Sequence, residues 1–210
     1  MIKILSGVPV YNGVQPEPFL SFLILSQASG KAEQRGTYEL RWCTPGPRGN
    51  IVTKRNVLSQ LAIHHNADYL LMMDDDMVVP SNLLDNLLRR NVDIVSPLFF
   101  RSTPPVDPLI YTLNEFKEIT TYYDYPKNAI FETSANGTGV MLIKTEVLMA
   151  MGDPIWRGLA DPEIAEDVEF CLRARGLGFK TWCDSTVEVR QMSLPVGVGS
   201  EIYEQTRLTR

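Results

Sequence analysis

The sequence predicts an α/β domain built on a mixed, mainly parallel β-sheet, and three observations carry this prediction. Strand-like apolar runs alternate with helical patterns through the first 80 residues. The order strand, helix, strand, helix, strand is typical of parallel strands joined by helices that cover the sheet. The chain has 210 residues, 44% hydrophobic and 21% charged, which suits one domain of ordinary globular composition.

In the first half of the chain, turn and loop residues mark the boundaries of the predicted elements. Pro9 and the turn pair Asn12-Gly13 end the first apolar run. Two prolines and two glycines in TPGPRGN at 44–50 predict a loop before the second helix. The predicted elements are a strand at 2–8, a helix at about 16–28, a strand at 37–43, a helix at about 51–65 and a buried strand at 69–73.

The second half is more irregular, with one clear helix near its end. Asp161 is the predicted N-cap of that helix and Pro162 its first residue. Residues 1–193 are predicted to form the domain, and the polar segment 194–210 a C-terminal tail compatible with mobility. The predicted elements are a helix opened by Pro80 and Ser81 and ending at 90, strands at 92–100 and near 109–112, 129–132 and 139–143, a helix at about 162–175, and strands around 179–183 and 187–191.

Charge and cysteine content narrow the class of protein. The net charge is −5 with no strongly basic segment, which argues against nucleic acid as the main partner. The N-terminal apolar stretch is too short for a signal peptide, and no run approaches the roughly 18 apolar residues of a membrane span, so a cytoplasmic location is expected. The three cysteines include no C-x-x-C pair, which favours reduced thiols over a disulfide framework or a zinc site.

Three consecutive aspartates, Asp74, Asp75 and Asp76, directly follow the predicted buried strand YLLMM. Their carboxylates repel one another unless water, a helix N-terminus or a cation offsets the repulsion. They fit an acidic turn before the next helix, where the helix dipole favours negative charge. They also fit a ligand site, because open α/β sheets bind ligands at the carboxyl ends of their strands, and hard oxygen ligands suit Mg²⁺ or Mn²⁺.

Four segments together resemble the GT-A glycosyltransferases, and family 2 and its relatives especially. They occur in that family's order and span most of the chain. The resemblance implies a GT-A, Rossmann-like three-layer sandwich with a mixed, mainly parallel sheet. The segments are PVYNG at 9–13, KRNVLSQLAIHHNADYLLMMDDDMVVP at 54–80, GTGVMLIKTEVL at 137–148 and EDVEFCLRARGLGFKTWCD at 166–184.

The resemblance also implies roles for individual residues. Asp74 and Asp76, the first and third positions of a D-x-D element, would ligate Mn²⁺ or Mg²⁺, and Asp74 and Asp75 would contact the nucleotide sugar. Asp167 would be the general base that takes a proton from the acceptor hydroxyl. On its residues alone, the acidic pair Glu166-Asp167 better fits the negative charge common in the first turn of a helix. The expected nucleoside-pocket residues are Pro9, Tyr11, Asn12 and Arg55.

The activity implied is transfer of a sugar from a nucleotide-diphosphate sugar to a hydroxyl acceptor, inverting and metal-assisted. The acceptor, whether glycan, lipid, protein or small molecule, is not identified by the sequence. One departure from the family is the segment VEVRQMS, which lacks the histidine that many members use as a third metal ligand. Gln191 or Asp184 is expected in its place, or Arg190 neutralises the diphosphate directly.

Two alternatives stay open at this point. A nucleotidyltransferase also places acidic metal ligands at strand ends, although the first strand here is not followed by a glycine-rich, lysine-containing loop. A non-catalytic relative that binds nucleotide or glycan is the other, and the missing histidine favours it. Trp156 fits either a platform for the acceptor sugar or an ordinary packing residue.

Overall fold

The computed structural model describes residues 1–10, 13–46, 48–158, 165–193 and 196–198. Over these residues the chain alternates short strands with helices. The strands are β1 (Ile2–Gly7), β2 (Tyr38–Cys43), β3 (Tyr69–Met73), β4 (Met77–Val78), β5 (Ile94–Leu98), β6 (Ile110–Leu113), β7 (Ile119–Thr121), β8 (Ile130–Thr133), β9 (Ala135–Asn136), β10 (Val140–Lys144), β11 (Thr181–Glu188), β12 (Arg190–Ser193) and β13 (Val196–Val198). The helices are α1 (Pro16–Gln34), α2 (Ile51–His64), α3 (Leu83–Arg90), α4 (Thr145–Met151) and α5 (Glu166–Gly176).

A seven-stranded sheet in the order β2-β1-β3-β10-β5-β11-β8 forms the middle layer. Strands β2, β1, β3, β5 and β11 share one direction, while β10 and β8 run against them. One core cluster joins the sheet to α1 and α3, and a second joins the opposite face to α2, α4 and α5. The predicted three-layer α/β sandwich with a mixed, mainly parallel sheet is therefore confirmed.

Strand β3 lies in the middle of this sheet, as its uninterrupted apolar sequence predicts. Leu71 and Met73 point into the core cluster under α1 and α3, while Leu70 and Met72 point into the one under α2, α4 and α5. A strand buried on both faces needs apolar residues at every position, which is why YLLMM does not alternate. Asp74 directly follows the carboxyl end of β3, where this strand leaves the sheet.

Two small sheets flank the main one, and one of them involves the aspartate triplet. Strand β4 begins at Met77, directly after the triplet, and pairs antiparallel with β12, which pairs with β13. The other small sheet has the order β7-β6-β9. Part of the predicted tail thus forms β13, while residues 194–195 and 199–210 lie outside the described residues.

The helix boundaries differ from the prediction at several places. Helix α1 continues to Gln34, and α3 begins at Leu83 rather than at Pro80. The last helix begins at Glu166, because Ala165 has extended backbone angles; the predicted cap Asp161 and Pro162 lie outside the described residues. Helix α4 and the short strands β4, β7 and β9 were not predicted, since two or three residues carry no periodicity.

None of the helices in the described ranges combines the length and the apolar character that crossing a membrane requires. The cytoplasmic location stays a prediction. All three cysteines are free thiols, as the sequence predicts.

Candidate active site at the carboxyl end of β3

Asp74 stands where β3 leaves the sheet. Its backbone N–H donates to the carbonyl oxygen of Gly139 at 2.9 Å, which fixes the residue against the start of β10. Its side chain is 26% exposed. Both carboxylate oxygens accept from Nη2 of Arg55, at 3.1 and 3.3 Å. Burial raises the pKa of the Asp74 carboxyl, and the Arg55 guanidinium opposes that shift.

Arg55 connects two parts of the site that are far apart in sequence. Its side chain is only 4% exposed, and its Nη1 donates to Glu166 at the start of α5 while Nη2 binds Asp74. The Trp156 ring lies 5.5 Å from the guanidinium carbon. A guanidinium between two carboxylates is charge-assisted on both sides and keeps its charge when buried. Arg55 therefore holds the end of β3 next to the start of α5.

Asp167, the predicted base, lies next to Glu166 on the first turn of α5. Its carboxylate accepts from the backbone N–H of Val168 at 2.8 Å and of Thr138 at 3.3 Å. Burial raises its pKa to about 6, with Arg55 opposing and Glu166 adding to the shift. A carboxylate with a pKa near neutrality is suited to accepting a proton during catalysis.

Tyr111 is a neighbour of Asp167 that the sequence did not indicate. Burial, and then the negative charge of Asp167, raise the pKa of the Tyr111 phenol to about 12. Tyr111 lies on β6 opposite Ala135 of β9, three residues before Thr138. Its phenol therefore stays protonated and can donate a hydrogen bond near the base.

Asp76 lies at the other end of the triplet and has a different partner. Its Oδ2 accepts from Nε2 of Gln191 at 2.9 Å, and its backbone oxygen accepts from the N–H of Met192 at 2.8 Å. Its Oδ1 is buried and accepts no hydrogen bond from the described residues. Burial raises the pKa of this carboxyl, and the Gln191 amide opposes the shift. The structure thus brings Gln191 to the triplet, as the sequence predicts.

These residues fit a divalent cation as a partial ligand set. The unpaired Oδ1 of Asp76 is a hard oxygen ligand without a partner, whereas Asp74 is already paired with Arg55. Within the described part of the chain, no group of three or more His, Cys, Asp or Glu side chains is placed to hold a metal. Mg²⁺ commonly takes one or two carboxylates and completes its shell with water and substrate phosphates. Asp76 therefore supplies only part of such a shell.

The loop after β1 is tied to the same helix that carries Arg55. Pro9 is buried there, and Tyr11 and Asn12 lie outside the described residues. The ammonium of Lys54 is buried and donates to the carbonyl oxygen of Val10 at 2.7 Å. The sequence analysis missed Lys54, although its spacing of four from Leu58 places it on the buried face of α2.

Three other candidates have structural partners instead. Asp184 lies under α3, where Arg90 holds its carboxylate, so the expectation that it replaces the histidine is wrong. Trp156 is fully buried and stacks on Phe170 with ring centroids 4.0 Å apart, which makes it a packing residue and excludes the acceptor platform. Arg190 donates to Glu17 at 2.8 Å.

Comparisons with known proteins support the fold. No protein-family model and no curated protein matches the chain. Among solved structures, A197 from STIV is similar with a TM-score of 0.63 and 17% identity, over 95% of this chain and 91% of that one. The inositol-1-phosphate CTP transferase from T. maritima is similar with a TM-score of 0.51 and 12% identity, over 99% and 95%.

A third structure, S. aureus TarS 1–349, has a TM-score of 0.48 and 15% identity over 88% of this chain and 58% of that one, too low to carry an argument. At such identities the similarities define the fold alone. The chain has a Rossmann-like α/β fold.

Proposed function

We propose that the protein is a nucleotide-sugar-dependent glycosyltransferase. The observation that carries this proposal is the geometry around Arg55. This buried cation joins Asp74, at the carboxyl end of β3, to the turn of α5 on which Asp167 has a pKa of about 6. In this proposal Arg55 would keep a donor-side carboxylate near a base suited to neutral pH.

On the donor side, the nucleotide would occupy the edge between the loop after β1 and the aspartate triplet. Pro9, Tyr11 and Asn12 are the proposed nucleoside contacts, and Asp75 the proposed contact to the sugar nucleotide. Arg55 is committed to two carboxylates and is almost fully buried, so its proposed role is to hold Asp74 rather than to line the nucleoside pocket.

Asp76 and Gln191 would hold Mn²⁺ or Mg²⁺ together with the donor diphosphate. Bound there, the ion would neutralise negative charge that grows on the leaving diphosphate. The uncompensated Oδ1 of Asp76 supports this assignment, because a buried carboxylate oxygen without a partner is costly unless a ligand completes it.

On the acceptor side, Asp167 would take the proton of the attacking hydroxyl. The acceptor oxygen then bonds to the anomeric carbon, and the electron pair of the breaking bond leaves with the nucleoside diphosphate. A single base without a separate nucleophile corresponds to inversion. Tyr111, protonated and close to Asp167, is placed to orient the acceptor by donating a hydrogen bond.

Nucleotidyl transfer is the rival reaction on this fold. With a sugar 1-phosphate as acceptor, it transfers a nucleoside monophosphate from a nucleoside triphosphate to the acceptor phosphate and releases pyrophosphate, so its site must neutralise two anions. The side chains gathered here are mainly acidic: Asp74 and Glu166 bind the buried Arg55, Asp167 lies next to Glu166, and Asp75 and Asp76 follow Asp74. That charge balance favours a neutral hydroxyl acceptor over a second phosphate.

The test is an assay of product release with two substrate sets. One set pairs UDP-, GDP-, ADP-, CMP- and dTDP-sugars with Mn²⁺ or Mg²⁺, and the other pairs nucleoside triphosphates with sugar 1-phosphates. Release of the nucleoside phosphate from one donor, lost in Asp167→Asn, is the expected result. Pyrophosphate release would establish nucleotidyl transfer, and ligand-induced stabilisation without any release would establish a binding protein.

A further inference from the structure

Strand β2 is an open edge of the main sheet. It ends the strand order β2-β1-β3-β10-β5-β11-β8, and it is six residues long. The opposite edge, β8, has four residues and is covered on its flank, where Phe131 packs against Tyr122 and Tyr125. Among the described residues nothing comparable covers β2. Open edge strands of this length pair readily with another strand.

The backbone of β2 fixes which groups face outward. The carbonyl oxygens of Thr37 and Cys43 accept from β1, from the N–H groups of Ile2 and Val8. The register between β1 and β2 is unbroken, and a parallel ladder uses every second residue of a strand. The odd-numbered residues of β2 therefore bond to β1. The N–H and C=O groups of Tyr38, Leu40 and Trp42 point away from the sheet.

A second copy of β2 matches this pattern. When two β2 strands pair antiparallel about Leu40, Leu40 faces its own copy and Tyr38 faces Trp42. Each of these residues then donates and accepts one bond, as in the hydrogen-bonded pairs of an antiparallel ladder. All outward backbone groups of the strand are satisfied by this single register.

The side chains favour the same register. Glu39 and Arg41 are neighbours on one face of β2 and form an ion pair within the chain. Pairing about Leu40 places Glu39 opposite Arg41 of the second copy, twice by symmetry. Opposite charges directly across an antiparallel pair are stabilising. Arg41 is 72% exposed, so it is free to reach across.

Apolar surface lies beside the same edge. Phe19 and Leu23 of α1, about half exposed, line a groove of about 320 Å³ together with Trp42. Leu20 and Ile24 extend this apolar surface along α1. A two-fold axis perpendicular to the sheet brings the α1 helices of both copies to the same face, so each apolar surface would meet its copy.

We propose that the chain forms a two-fold symmetric dimer in which the β2 strands of two copies pair antiparallel about Leu40, with the apolar surfaces of α1 packed alongside. The contact is isologous, as closed dimers require. It is independent of the donor and acceptor chemistry, so failure of either proposal leaves the other standing.

Sedimentation equilibrium over a range of concentrations tests this directly. The wild-type chain is expected at twice its mass of 23.7 kDa. Glu39→Arg alone, or Arg41→Glu alone, sets like charges opposite each other and should raise the dissociation constant at least about tenfold. The double variant Glu39→Arg/Arg41→Glu restores both opposite-charge pairs and should restore dimerisation. Thermal melts of each variant establish that it is folded.

A second pair of variants tests the apolar part. Leu23→Glu should weaken the dimer, whereas Leu177→Glu, an equally exposed leucine after α5, should leave it unchanged. A wild-type monomer at all concentrations, or single charge reversals that do not weaken the dimer, would overturn the proposal. Flotation of a monomeric wild type with phosphatidylglycerol vesicles, abolished by Leu23→Glu, would instead assign the α1 surface to a membrane.

Discussion

Two aspartate–arginine pairs among the described residues use the same chemistry for different ends. Asp184, fully buried, accepts from Nε and Nη2 of Arg90 at 2.7 and 3.2 Å, and from the backbone N–H and hydroxyl of Thr186 at 3.0 and 2.6 Å. Asp74 accepts from Nη2 of Arg55, whose other terminal nitrogen, Nη1, donates to Glu166. Part of the Asp74 side chain is exposed.

The two carboxylates differ in how much hydrogen-bond acceptor capacity remains for a ligand. Both carboxylate oxygens of the fully buried Asp184 accept hydrogen bonds from within the chain, so this pair joins α3 to β11. Asp74 keeps acceptor capacity that faces the edge of the sheet. A buried ion pair by itself is weak evidence for either stability or function, and the saturation of the carboxylate is the more informative property.

Removing Arg90 should have the largest effect on stability, because it breaks the ion pair between Arg90 and Asp184. Arg90→Ala leaves the Asp184 carboxylate buried without its cation, and such changes cost about 3–5 kcal/mol. The free energy of unfolding from urea denaturation measures the loss, with Arg89→Ala on the same helix as the control. A loss below about 1 kcal/mol would mean that water replaces Arg90.

Replacing the proposed base should leave stability nearly intact and abolish transfer. Asp167→Asn keeps the side-chain shape but cannot accept the proton, so kcat should fall by about 10²–10⁴. Steady-state kinetics with the active donor measures this, and an unchanged donor-induced melting shift shows that binding survives. Unaltered kcat would remove Asp167 from the mechanism.

The Asp74 and Asp184 pairs can be compared directly through donor binding. At about 100 times its dissociation constant a ligand adds about 2.7 kcal/mol of stability. Asp74→Asn should abolish this stabilisation, whereas Asp184→Asn should lower the stability of the free protein yet retain the donor-induced gain. Equal donor-induced shifts in both variants would contradict the assignment of the triplet edge as the donor site.

The raised pKa of Asp167 predicts a specific pH dependence. Its folded-state pKa of about 6 exceeds that of an unfolded aspartate, so the folded chain binds more protons between these values. Its contribution to stability is therefore present at low pH and is lost as pH rises toward about 6. Denaturation at several pH values should show this slope in the wild type and not in Asp167→Asn. Transfer activity should run oppositely, falling about tenfold per pH unit below about 6.

The smallest effect is expected at Gln191. Gln191→Ala removes the hydrogen bond to Asp76 and should cost about 0.5–1.5 kcal/mol. If Gln191 helps to hold the cation, the concentration of Mn²⁺ needed for half-maximal activity should also rise. An unchanged metal requirement would restrict Gln191 to orienting Asp76.

The sequence predicted most of the main sheet because its strands are long enough to carry a pattern. The uninterrupted run YLLMM identified a buried strand of the sheet, and the acidic residues after it predict a ligand edge that stays a prediction. The contact between Arg55 and Glu166 could not be predicted, because these residues are 111 positions apart and only the tertiary fold brings them together. For the same reason the sequence did not reveal that Asp184 is paired with Arg90 and is therefore not available as a metal ligand.

The pairing of β12 with β4 determines when, during synthesis of the chain, the surroundings of Asp76 can be completed. Asp76 takes one hydrogen bond from Gln191 and one from the backbone of Met192, residues more than a hundred positions later in the chain. During synthesis the triplet emerges long before these partners do. Both hydrogen bonds to Asp76 can therefore form only after residue 192 has left the ribosome.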